Sequence, residues 1–196
     1  MSRAEKTEKP RKVRVFVGLR CSMHQPFKQL LTDLEQLAND KQNQLRLAPP
    51  QNLHVTLKFI GSVLESELGS IDSILKQCCA RHQAMQLHCE GVGIFKNSIW
   101  TGIRADEALT AMAVDLDTAF SSLGISEENK LSYTPHMTVA RFSNEAKTKI
   151  GSLKEKYAGQ KWGEIQAKKL YLYRSDTLPE GARYVILSAY ELAGTD

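Results

Sequence analysis

The chain has 196 residues, 42% of them hydrophobic, and a formal net charge of +4. That is enough apolar material for one compact domain and excludes wholesale disorder. No apolar run approaches the ~20 residues of a membrane-spanning helix. The polar N-terminus lacks the apolar stretch of a secretory signal, so a cytoplasmic protein with no membrane partner is expected.

The charge is unevenly spread. Residues 1–12 hold five basic side chains (Arg3, Lys6, Lys9, Arg11, Lys12) and two acidic ones (Glu5, Glu8), which leaves +1 for all the rest. A nearly neutral body argues against a broad duplex-binding face and fits a small groove that takes the end of a strand. Residues 1–12 read as a disordered basic tail, and 13–196 as a single domain. The four cysteines, Cys21, Cys78, Cys79 and Cys89, show neither CxxC nor zinc spacing and read as reduced, buried thiols.

The elements follow in chain order. Val13, Val15, Val17 and Leu19 alternate with Arg14, Phe16 and Gly18, which predicts a strand. Pro26 opens an amphipathic helix over 25–40, with Phe27, Leu30, Leu31, Leu34 and Leu37 on one face. A strand is expected from Leu53 to Ile60, ended by Gly61, then a helix over 65–80. Residues 84–104 read as two or three strands. The spacing of Leu109, Met112, Ala113, Leu116 and Phe120 predicts a helix over 106–123. A strand over 136–142, a polar helix over 145–157, and strands near 165–174 and 182–192 close the chain. The order lacks the regular alternation of a doubly wound sheet, so the fold class is α+β with largely antiparallel sheets.

One internal echo stands out. His54-Val55-Thr56-Leu57-Lys58-Phe59 and His136-Met137-Thr138-Val139-Ala140-Arg141 each put a His-x-Thr on a strand, 82 residues apart. Residues two apart share a face. His54, Thr56 and Lys58 therefore point one way, with Val55, Leu57 and Phe59 in the core; His136 and Thr138 share a face likewise. Opening a cyclic phosphodiester with water needs a base for the water and an acid for the leaving sugar oxygen. Two imidazoles can hold opposite protonation states near neutral pH. Each threonine hydroxyl can donate to a phosphate oxygen, and imidazolium plus hydroxyls can stabilise charge without a metal. A zinc site would need further ligands, and His24, His82 and His88 sit in segments that read as surface.

The stretches His54 to Gly61 and Pro135 to Arg141 resemble the two signatures of the 2H phosphoesterases. Within that family they look like the bacterial RNA 2',3'-cyclic phosphodiesterases, also called 2'-5' RNA ligases. Arg14-Val15-Phe16-Val17-Gly18-Leu19 and Leu172-Tyr173-Arg174-Ser175 resemble that branch too, so the likeness spans about residues 13–192. It implies a bilobal fold in which two mostly antiparallel sheets, flanked by helices, form a V-shaped groove with one His-x-Thr on each wall. It implies hydrolysis of RNA 2',3'-cyclic phosphate ends to a 2'-phosphate, with His136 activating water and His54 protonating the 3' oxygen. The residues alone do not assign those two roles. Run backwards, the same chemistry joins ends through a 2'-5' linkage without a nucleotide cofactor.

The resemblance also gives Arg141 a phosphate-binding role. Simple alternation turns Arg141 away from His136, so that role requires a bulge or the strand's end. Phe16 is a candidate for stacking on a terminal base, the alternative being a second small core, and Lys58 is a candidate phosphate contact. Tyr171 and Tyr173 read as packing, and Trp100 and Trp162 as core. The expected partner is an RNA end or short oligonucleotide bearing a cyclic phosphate, and the protein is expected to act as a monomer without cofactor or metal. Two other functions fit the residues: a non-catalytic RNA-end binding module, and a phosphodiesterase for a small cyclic nucleotide derivative. Groove width separates the last from RNA.

Overall fold

The structure is a computed structural model describing residues 10–23, 25–40, 44–122, 134–142, 147–179 and 181–194. Of the expected tail over 1–12, residues 1–9 lie outside the described residues, as does His24; its last residues are instead held to the body, Arg11 pairing with Glu65 at 3.3 Å and Lys12 opening the first strand. Nine strands are described: β1 (Lys12–Arg20), β2 (Arg46–Leu47), β3 (His54–Leu64), β4 (Met85–Phe95), β5 (Ser98–Ile103), β6 (His136–Arg141), β7 (Lys161–Ala167), β8 (Lys169–Leu178) and β9 (Gly181–Glu191). The described helices are α1 (Lys28–Asn39), α2 (Leu68–Arg81), α3 (Glu107–Ser121) and α4 (Lys147–Lys156).

All strand pairs are antiparallel, and the order is β7-β4-β5-β6-β3-β1-β8-β9, with β2 added beside β6. The sheet divides into two halves. β7, β4, β5, β6 and β2 form one, and β3, β1, β8 and β9 form the other. A single residue pair, Val55 with Met137, joins them. With so few ladder bonds at the seam, the halves splay apart while sharing one hydrophobic core. The two expected sheets are therefore two arms of one curled sheet.

The helices cover the arms because each carries a buried stripe. Leu30 and Leu34 of α1 are fully buried, as are Ile71, Leu75 and Cys78 of α2. α3 buries Leu109, Met112, Leu116 and Phe120. It is capped by Asp106, whose carboxylate accepts from the Leu109 N–H at 2.9 Å, a contact that typically contributes about 1 kcal/mol. All four cysteines are free and buried, and burial pushes the thiols of Cys78, Cys79 and Cys89 up to about 12.

Three local departures shape the site. β3 continues through Gly61 to Leu64; Gly61 (φ 92°) sits at a bulge beside Ile60 where the β1 register shifts, and does not end the strand. Gly18 of β1 runs so close to β3 that a Cβ there would meet the Val55 carbonyl at 2.6 Å. The expected strand over 165–174 is two strands. β7 pairs with β4 in one arm, and β8, after Lys168, pairs with β1 in the other.

Candidate active site

The seam between β3 and β6 carries both His-x-Thr motifs. Antiparallel pairing about Val55 and Met137 sets His54 across from Thr138 and Thr56 across from His136. The four side chains line one cavity of about 1020 Å³, together with Arg46 and Arg141. No acidic residue lines it among the described residues. Among the described residues the charge lining the seam is therefore positive, although the chain beyond residue 12 carries only +1 in all.

Each histidine is oriented in the same way. The Nδ1 of His54 lies 2.6 Å from the carbonyl of Asn52, and that of His136 lies 2.8 Å from the carbonyl of Thr134. A carbonyl only accepts, so Nδ1 carries the proton in both rings and Nε2 is left for chemistry. Asn52 is itself tied across the arm, its amide donating to the Ala182 carbonyl at 3.1 Å. His54 packs against Phe16 (ring centroids 4.8 Å apart) and edge-on to Tyr184 (5.1 Å). His136 meets Phe95 edge-on at 5.1 Å and lies 5.7 Å from Trp100. These rings fix the imidazoles, which limits the entropy lost when a substrate binds.

The electrostatics of the pair are unequal. Burial lowers the His54 pKa from its ordinary value near 6.5 to about 4, and the charges of His136 and Arg141 push the same way. The bond to the Asn52 carbonyl opposes this in part. In the ligand-free protein His54 is thus neutral at neutral pH. An anion bound between the two rings would oppose the positive neighbours and raise the His54 value.

Two bulges decide which further residues face the groove. In β6 the register with β5 shifts at Val139, since Ala140 pairs with Ile99 but Thr138 pairs with Trp100. The extra residue reverses the alternation and brings Arg141 onto the face of His136 and Thr138. In β3 the register with β1 shifts at Leu57, since Lys58 pairs with Val17 but Thr56 pairs with Gly18. Here the reversal turns Lys58 into the core, 1% exposed and hydrogen-bonded to Asp117 of α3, and turns Phe59 out into the groove, 47% exposed.

Lys58 is therefore not the phosphate contact that strict alternation implies. Its partner Asp117 is half exposed, so the two halves of the pair are not equivalent. Asp117→Ala strands a buried ammonium and is expected to lower the unfolding free energy by about 1–3 kcal/mol. Lys58→Met fills the same volume without a charge and should cost less, with turnover within about twofold of wild type. Denaturant melts and a turnover assay check this. Loss of turnover in a well-folded Lys58→Met variant would put the side chain back at the substrate.

Phe16 is 2% exposed, stacked at 4.9 Å on Tyr173 and covered by His54. It supports His54 from beneath and presents no free face to a base. Tyr173 packs as expected, and Trp162 is core, 1% exposed. Trp100 is half-buried against His136 rather than core. Two contributors escaped the sequence reading. Arg46 lies directly across from Arg141 on the short β2, and like charges so placed repel unless an anion lies between them. Asn52 orients His54 through its backbone, which leaves no side-chain signature. Away from the groove, Cys78, His82 and Asp115 bring ligand atoms within 4.8 Å of one another. Arg81 already donates to both oxygens of that carboxylate, at 2.9 and 3.0 Å, and His82 Nε2 lies 2.9 Å from one of them.

A groove of this build, with paired His-x-Thr strands at the joint of a two-armed antiparallel sheet, defines a phosphoesterase of the 2H type. The profile of the 2'-5' RNA ligase superfamily matches residues 24–178, and the chain belongs to that family. It is 25% identical over 187 residues to the RNA 2',3'-cyclic phosphodiesterase of Methanothermobacter thermautotrophicus, covering 92% of this chain and 100% of that one. With the enzyme of the same name from Methanocaldococcus jannaschii it shares 30% identity over 156 residues, 76% of this chain and 86% of the other. The fold matches E. coli LigT complexed with 3'-AMP at a TM-score of 0.73 and 19% identity, over 93% of this chain and 99% of that one. It also matches a protein of Thermus thermophilus at 0.70 and 21%, over 93% and 100%.

Proposed function

We propose that the protein is an RNA 2',3'-cyclic phosphodiesterase that opens cyclic phosphate ends to a 2'-phosphate by metal-independent acid–base catalysis. The observation that carries the reading is the arrangement at the seam: two imidazoles, each fixed through Nδ1, with a threonine beside each, in a cationic groove. The names of the relatives over nearly the whole chain support the substrate class.

In this reading the cyclic phosphate sits between the histidines. Thr56 and Thr138 donate to its non-bridging oxygens, and Arg141, with Arg46 beside it, neutralises charge that grows as water adds. His136 Nε2 takes a proton from the water as its oxygen bonds to phosphorus. The P–O3' bond breaks, and His54 Nε2 gives its proton to the departing 3' oxygen. A 2'-phosphomonoester and a 3'-hydroxyl remain, and no atom is left over. His54 serves as the acid only when the bound anion has raised its pKa. With the 5'-hydroxyl of a second strand in place of water, the same step joins the ends: that oxygen bonds to phosphorus and gives its proton to His136, the P–O3' bond breaks, His54 protonates O3', and a 2'-5' bond results. A cytoplasmic monomer is part of the same reading; no described helix is long and apolar enough to cross a membrane.

The cavity volume lies at the top of the ~300–1,000 Å³ range of small-ligand pockets, which favours an RNA end over a small cyclic nucleotide derivative. The test is product analysis on an oligonucleotide ending in a 2',3'-cyclic phosphate, with excess EDTA present. The expected product is the 2'-phosphate, at a rate unchanged by the chelator. Release of a 3'-phosphate, or activity lost to EDTA and restored by zinc or magnesium, would overturn the scheme.

A further inference from the structure

The cationic lining extends well past the reacting phosphate. On the groove face of the His54 arm, Phe59 of β3 lies across from Phe16 of β1, and Arg14 of β1 lies across from Ser62. Both Phe59 and Arg14 line the cavity that holds the histidines. Phe59 is 47% exposed even though its ring lies 6.0 Å from that of Phe16. Its outer face is an apolar plate inside a polar cavity. Arg14 is exposed, and its side chain makes no ion pair or hydrogen bond with any described residue. Arg174 and Arg183, on the neighbouring β8 and β9, share Asp176. Among the described residues, Arg14 thus adds positive charge to a groove wall that holds no acid to pair with it.

The spacing says what the pair can hold. Phe59 lies three residue steps along β3 from Thr56, roughly 10 Å, and Arg14 stands one row beyond Phe16, about 6.8 Å further on. On the order of 15 Å along the strands from Thr56, the Arg14 backbone is too distant for its guanidinium to serve the reacting phosphate. The plate lies at the distance of a nucleobase from a phosphate held at the histidines, and the guanidinium at the distance of the next phosphate along one nucleotide. Aromatic stacking with a cation tracking the backbone is how single strands are held without reading sequence.

We propose that Phe59 and Arg14 form a subsite for the nucleotide that bears the cyclic phosphate, Phe59 stacking on its base and Arg14 binding the phosphodiester on its 5' side. The proposal rests on the groove being an RNA-end site, and it makes the enzyme selective for chain ends over isolated nucleosides.

The probes are adenosine 2',3'-cyclic phosphate with and without a 5'-phosphate. For the wild type, kcat/KM should be about tenfold higher with the 5'-phosphate, a factor equivalent to one modest ionic contact. Arg14→Gln should abolish that preference while changing the unphosphorylated substrate by less than about twofold. On a cyclic-phosphate-ended trinucleotide, the same variant should flatten the log–log salt dependence by about 0.7, the share of one phosphate contact on a single strand. Phe59→Ala should lower kcat/KM for both nucleotides by about tenfold, since both carry the base. An Arg14→Gln enzyme that keeps the wild-type preference, or loses both substrates equally, overturns the subsite. If the wild type hydrolyses neither the nucleotides nor the trinucleotide, the proposed function fails, which is a different outcome from failure of the subsite. Competition of the same two compounds against a fluorescent 3'-phosphorylated RNA then still reads the 5'-phosphate preference and its loss in Arg14→Gln.

Discussion

His54→Ala and His136→Ala should each slow cyclic phosphate hydrolysis by about 100- to 10,000-fold, the range lost when a positioned acid or base is removed. The double variant should be only slightly slower than the worse single one, because residues that act as a unit are not additive. Stability separates the two sites. His54 packs against Phe16 and Tyr184, so its truncation should cost about 1–2 kcal/mol, and rates are to be compared well below the melting point. The two single variants should also differ in pH behaviour. The wild-type rate is expected to be bell-shaped, and the limb set by His54 in kcat/KM, which reports the free enzyme, should lie near pH 4. In kcat the same limb should move up toward neutrality, because the bound anion favours the imidazolium.

Linkage gives an independent check on the same residue. A histidine whose folded pKa lies below its unfolded value binds fewer protons when folded. Its contribution is therefore present above about pH 6.5 and is lost as pH falls toward about 4. The wild type should lose stability over that window, and His54→Ala should lose less. An NMR titration of His54, with and without adenosine 2'-phosphate, reads the shift directly. A His54 ring that stays neutral in the complex would exchange the roles of acid and base. Near wild-type rates in both alanine variants would end the catalytic reading altogether.

The sequence made the site's chemistry legible and left its geometry largely hidden. Period-two alternation located β1, β3 and β6, and helical spacing located α1, α2 and α3, because each of these segments buries one regular face; α4 was read only as a polar helix. The His-x-Thr pairs were visible because residues two apart on a strand share a side whatever the strand pairs with. Beyond that step the alternation fails twice, at Leu57 and Val139, where bulges exchange the faces. Both exchanges depend on the neighbouring strand's register, which no local pattern contains. That is why Lys58 looked like a ligand and is core, why Phe59 looked like core and faces the groove, and why Arg141 reaches the site at all. Arg46 was missed because a two-residue strand has no period to detect. The break at Lys168 was missed because β7 and β8 are both ordinary strands locally, although they serve different arms of the sheet.

Thr56→Val and Thr138→Val should each lower kcat by about 100- to 1,000-fold with KM changed far less, the effect of losing one preorganised donor to a developing oxyanion. Valine keeps the branched shape that a strand favours, so the backbone around each motif should hold. The seam makes the sharper claim. Thr56 lies across from His136 and Thr138 across from His54, so each threonine faces the opposite motif's imidazole, and in the proposed cradle the phosphate touches both strands at once. The two variants should therefore resemble each other in magnitude despite lying in different arms. Each should also lose affinity for vanadate, whose five-coordinate complex mimics the charge distribution of the transition state, in parallel with its loss of kcat. A large effect at one threonine and none at the other would mean that the phosphate rests on a single arm. Wild-type kinetics in both would reduce the threonines to strand formers, and the symmetric cradle would have to be abandoned.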